Sequence, residues 1–218
     1  MRHLAREVGT LWHPCKAVNI FVLNVGRSGS MTFIRACEHI TNYTAAHESR
    51  RHLVGADRLA YPPNHIEADN RLAWFTGRLE RAYGDEPVYV YLRRDPDKVV
   101  ASYAERYDLG ILRAYRRQIL WKVPHEADPE TIARDYLETM STNIELFLRD
   151  KSKVMDFQLE DAREAFPAFW ERIGAEGDLD AAVATFETRH NSTADTVHRW
   201  QPKPSRGQNK PKRRWMSR

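Results

Sequence analysis

Cysteine is almost absent from the 218-residue chain: there are two, Cys15 and Cys37, and neither sits in a CxxC or a mixed Cys/His ligand spacing. A disulfide framework and a zinc site are thereby excluded as organising devices, and a reducing, cytoplasmic setting is expected. Long apolar runs are missing too, since none approaches the roughly 18 residues that a membrane helix requires, so no membrane span is expected. Residues 1–16 carry Arg2, Arg6 and Lys16 but no apolar core followed by a small-residue cleavage site, so secretion is not expected. The sequons at Asn42 and Asn191 are then chance occurrences.

Acid is absent from one end. From Val197 onward the chain has eight Lys/Arg and no Asp or Glu, whereas the whole chain has 34 basic and 30 acidic residues and a net charge of +4. The remainder is therefore net acidic by four, and it offers no broad basic surface of the kind a nucleic-acid partner demands. Hydrophobic residues make up 42% and charged residues 29% of the chain, proportions of a globular protein large enough for one α/β domain. The expected organisation is a single domain over 1–196 and a basic tail over 197–218. No feature of the sequence specifies an oligomeric state.

The β-branched and aromatic run at 18–24 predicts a buried parallel strand. Phe33, Ile34, Cys37 and Ile40 recur at helical spacing and predict a helix over 32–40, with a short strand at 42–46. Residues 48–63 are polar, broken by Gly55 and Pro62-Pro63, and read as a surface excursion. Further helices are expected over 70–83, from Asp95-Pro96 to about 107, and over 111–121, 130–148, 161–173 and 179–187, with strands at 88–92 and 154–159. Strands alternating with helices predict an α/β fold with a central parallel sheet flanked by helices.

Two segments carry chemistry. Gly26, Arg27, Ser28, Gly29, Ser30, Met31 and Thr32 link the first strand to the first helix. Such a turn aims backbone N–H groups and the positive end of a helix dipole at one point, which suits an anion. The glycines permit a tight path, the hydroxyls donate, and Arg27 adds a permanent cation. The loop is neither a Walker A sequence, because Ser30 rather than Lys follows Gly29, nor GxGxxG. In the second segment Arg94 ends a strand and Ser102 lies eight residues on, about two turns into the next helix. Ligands of open α/β sheets bind at the carboxyl ends of strands, so Arg94 is expected to face the same crevice as the loop.

Together, Arg27-Ser28-Gly29-Ser30 and Arg94 with Ser102-Tyr103 resemble the 3'-phosphoadenosine 5'-phosphosulfate (PAPS) dependent sulfotransferase family, most closely its bacterial and carbohydrate-type members. Looser similarity covers 66–79, 157–161 and 169–174. The resemblance implies a three-layer, P-loop NTPase-like domain and transfer of a sulfuryl group to an acceptor hydroxyl on a small molecule, lipid or glycan, with PAPS as co-substrate and no metal. It implies that Arg27 faces the phosphosulfate, that Gly26, Ser28, Gly29, Ser30, Met31 and Thr32 complete the 5'-phosphate loop, and that Arg94 and Ser102 hold the 3'-phosphate. Glu48 falls where carbohydrate-type members place a glutamate base, with His47 as the alternate. The tail departs from the cytosolic pattern, keeping only Arg206-Gly207 of a late Arg-Lys-Gly run. Two other readings stand beside this one: a kinase-like phosphotransferase, and a nucleic-acid-binding module built on the tail.

Overall fold

The computed structural model describes residues 18–187 except 125; the basic tail, Asn191 and Arg206-Gly207 lie outside the described residues. Five strands form one sheet: β1 (Ile20–Leu23), β2 (Thr44–His47), β3 (His65–Ala68), β4 (Val88–Arg93) and β5 (Val154–Gln158), in the order β2-β3-β1-β4-β5. Every neighbouring pair is parallel. The registers Ile20↔Ile66 and Ile20↔Val88 place β1 between β3 and β4.

Alternation along each strand sorts the apolar residues into two cores. Phe21, Leu23, Tyr89 and Tyr91 point to the side covered by α2 (Thr76–Tyr83), α3 (Pro96–Ala104) and α5 (Pro129–Leu148). Ile20, Val22, Val90 and Leu92 point to the side covered by α1 (Ser30–Cys37), α6 (Ala162–Arg172) and α7 (Leu179–Ala184). All four β1 side chains are fully buried, as expected for a strand covered on both faces. On the second face Phe33 meets Phe157, Phe166 and Phe169 edge-on at 5.0–5.6 Å between ring centroids. The three-layer α/β architecture read from the sequence is the one observed.

One strand escaped the sequence reading. β3 has the sequence His-Ile-Glu-Ala, and its two polar residues are buried rather than turned to water. Glu67 is fully buried because Ser49 donates to it from both its N–H (2.8 Å) and its hydroxyl (2.6 Å), and His65 Nε2 lies 3.0 Å away. The helix expected over 70–83 is divided: a 3-10 turn, Asn70–Trp74, precedes α2, with Asp69 accepting from the Arg71 N–H at 2.8 Å. The helix expected over 111–121 begins as α4 (Gly110–Ala114), widens into a π turn at Tyr115–Ile119, and ends where Trp121 and Lys122 take positive φ. Among the described residues no helix is long and apolar enough to cross a membrane.

Candidate active site

β1 stops at Leu23 and the chain turns sharply into α1. Asn24, fully buried, accepts from the Gly26 N–H at 2.9 Å and donates to the Val22 carbonyl at 3.2 Å. Gly26 has φ 82°, and a Cβ there would collide with the Tyr103 hydroxyl and stand 2.6 Å from Asn70 Nδ2, so no larger residue fits. Arg27 also takes a positive φ, 59°, a conformation that strains a non-glycine residue. Gly29 follows with φ 82° as the N-cap of α1. No side chain caps α1 there, which leaves its leading N–H groups for an anion. Ser28 is buried and donates to the Gly26 carbonyl at 3.2 Å; Ser30 and Met31 are half-buried, and Thr32 is buried.

The second segment meets this loop directly. The Asp95 carboxylate caps α3, accepting from the N–H groups of Asp97 and Lys98, and this fixes Arg94 at the end of β4. Arg94 donates from Nη1 to the Arg27 carbonyl at 3.0 Å, and Arg27 donates from Nε to Ser102 Oγ at 2.9 Å. The next residue, Tyr103, donates to the Val25 carbonyl at 2.7 Å, and burial pushes its hydroxyl up to about 12, so it remains a donor. Burial, then the nearby Arg106 and, more weakly, Arg94 lower the Arg27 guanidinium to about 10. A cation crowded by cations at a helix N-terminus is an arrangement that a bound polyanion relieves. Beside it a cleft of about 240 Å³ opens, its wall including Val25, Ser28, Tyr91, Arg94, Leu137 and Gln158.

On the other side of β1, β2 ends at His47 and Glu48 follows it. His47 Nε2 lies 3.0 Å from Ser30 Oγ, and burial lowers the imidazole below its usual value against the pull of Glu48 and the buried Asp69 and Glu67. Glu48 turns with φ 50°, its N–H donating to the Ala68 carbonyl at 3.0 Å. Its carboxylate takes ion pairs from Arg71 at 2.8 Å and Arg51 at 3.0 Å. Burial alone would raise this carboxyl, but Arg71, Arg51 and His47 together hold it below the usual range.

The candidate site residues Gly26 to Thr32, His47, Glu48, Arg94 and Ser102 thus lie at or just beyond the carboxyl ends of β1, β2 and β4. The sequence reading missed Asn24, Asn70, Arg71 and Arg106. Asn24 was visible as a polar residue closing an apolar strand; Asn70 and Arg71 were hidden because β3, whose end they follow, was not recognised.

No protein-family model matches the sequence, and no curated protein matches it. Solved structures do. The fold is that of the sulfotransferases: the chain is similar to the sulfotransferase domain from the curacin biosynthetic pathway, with a TM-score of 0.54 at 14% identity over 80% of this chain and 79% of that one. A mouse sulfotransferase, SULT7A1, complexed with PAP, matches with a TM-score of 0.47 at 12% identity over 79% of this chain, which spans 64% of its length.

Proposed function

We propose that the protein transfers a sulfuryl group from PAPS to an acceptor hydroxyl. The observation that carries this reading is the junction of the two motif segments, in which Arg27, Ser102 and Arg94 are tied together in front of the N-terminus of α1. The donor set suits a nucleotide phosphorylated at two positions. Ser28, Ser30 and the leading amides of α1 face one phosphate, Arg94 and Ser102 the other, and the cleft beside Arg94 receives the nucleoside. PAPS supplies an activated sulfate, whose sulfur–oxygen bridge to the 5'-phosphate breaks as the acceptor oxygen bonds to sulfur, leaving adenosine 3',5'-bisphosphate.

The chain's own residues supply the rest. Arg27 stays cationic at neutral pH with its pKa at about 10, and offsets charge developing on the departing phosphate oxygen. His47 accepts the acceptor proton. It is neutral at pH 7 because burial lowers it, and its Nε2 is directed at the loop through Ser30. Glu48, the first choice on sequence grounds, is occupied by two guanidiniums in this arrangement, and a carboxylate so paired is a weak base. The acceptor, a small molecule, lipid or glycan, enters from the β2–β3 side.

Adenosine 3',5'-bisphosphate is expected to raise the melting temperature by several degrees at millimolar concentration, and Arg94→Ala and Arg27→Ala to shrink that rise. A magnesium-dependent consumption of ATP with a phosphorylated product, and no response to the bisphosphate, would instead establish the phosphotransferase reading.

A further inference from the structure

We infer that Arg51 and Arg71 form the recognition site for an anionic group, a carboxylate or a sulfate ester, carried by the acceptor itself, an assignment that rests on sulfuryl transfer being the reaction. Both guanidiniums converge on one atom, Glu48 Oε2, from opposite elements: Arg51 from the turn after β2 and Arg71 from the turn after β3. Two guanidiniums present ten N–H donors between them, and a single carboxylate does not saturate them. Nor does it neutralise them. Of the other acids nearby, Asp69 is fully buried and shared between Arg58 at 2.5 Å and, more distantly, Arg71 at 3.7 Å, and Glu67 is held by Ser49 and His65. Between Ser49 and Ala56 the chain offers Arg50, Arg51 and His52 and no acid. Positive charge therefore remains at this corner, and it faces water, with the Arg51 side chain 61% and the Arg71 side chain 34% exposed, against 15% for Glu48.

The corner borders the reacting centre. Glu48 follows His47, whose imidazole touches Ser30 of the phosphate loop. Arg71 follows Asn70, whose amide lies against Gly26 of the same loop. An anion held by the arginine pair would thus belong to the same small unit as the hydroxyl presented to His47. A planar guanidinium fork matches the paired oxygens of a carboxylate or a sulfate. Arg51, the more exposed of the two, is the arm able to leave Glu48 for a ligand, while Arg71 keeps its hold through Asp69 at 3.7 Å.

The test uses the full chain saturated with adenosine 3',5'-bisphosphate and titrates it calorimetrically with two matched pairs: methyl β-D-glucuronide and its carboxamide, and a disaccharide bearing one sulfate ester and its unsulfated counterpart. In at least one pair the anionic member is expected to bind about tenfold or more tightly than the neutral one. The pair that discriminates identifies carboxylate or sulfate as the group read. Arg51→Gln is expected to erase the preference, whereas Arg149→Gln, following the C-terminus of α5, keeps it. Circular dichroism verifies that both variants are folded. Equal binding within both pairs, or a preference that survives in Arg51→Gln, overturns the assignment. A bisphosphate that fails to raise the melting temperature of the wild-type protein overturns the sulfuryl-transfer reading itself, so the two failures are distinguishable.

Discussion

His47 and Glu48 are chain neighbours on which burial acts in opposite directions, lowering the imidazole and raising the carboxyl until Arg71 and Arg51 reverse the latter. A base must be unprotonated to act, so turnover limited by His47 rises as pH climbs through its lowered pKa, below the usual 6.5, and is flat above it. His47→Gln is expected to reduce kcat by about 10²–10⁴ while leaving the bisphosphate-induced rise in melting temperature in place. Glu48→Gln is expected to keep the acidic limb. If Glu48 were the base, its carboxyl, held below 4.5, would keep the rate level down through pH 5, and Glu48→Gln rather than His47→Gln would abolish turnover. Measuring kcat against pH for the three proteins separates the cases. The same scale explains why the loop needs its particular glycines: Gly26 has Tyr103 and Asn70 against it, and Gly29 has the Leu159 methyls 2.6 Å from where a Cβ would stand.

At the level of elements, β3 is where polar residues replace the apolar run that announces a buried strand. Glu67 is the peg on which the 47–49 turn hangs, through both the N–H and the hydroxyl of Ser49. Glu67→Ala strands two donors and is expected to cost about 1–3 kcal/mol, read as a lower urea midpoint. It should also lower kcat by more than it weakens bisphosphate binding, because the turn carries His47 but not Arg94. β1, α1, β4 and α3 were legible because their signals are local: an apolar run, a Gly/Ser turn, an Asp-Pro cap. β3 was not, because burial of Glu67 depends on Ser49, 18 positions away, and period and propensity carry no trace of a partner that distant. Arg71 was hidden for the same reason, whereas the placing of Arg94 on the same crevice as the Arg27 loop was expected, because each ends or follows a strand readable on its own; their direct contact was not.

For the whole molecule, the order β2-β3-β1-β4-β5 assigns different work to the two sides of one strand. Chain leaving β1 runs out to β2 and back through β3, delivering His47, Glu48, Asn70 and Arg71 on the side proposed to meet the acceptor. It then crosses to β4 and β5, where Arg94 and Gln158 line the cleft proposed for the nucleotide. The loop after β1 sits at the reversal between these directions, the position at which open α/β sheets place ligands. Agreement in fold with the curacin-pathway domain, at 14% identity, shows how little of the strand and helix arrangement depends on particular side chains.

The contacts from Arg94 to the Arg27 carbonyl and from Arg27 to Ser102 brace the loop after β1 against α3 and the end of β4. Arg94 spends one of its N–H groups on that carbonyl and Ser102 only accepts, so both keep donors for a phosphate, and capture of the nucleotide needs no prior rearrangement of the loop. In stopped-flow mixing, the observed rate of bisphosphate binding should rise linearly with its concentration, and Ser102→Ala, which removes one brace, should weaken the final complex.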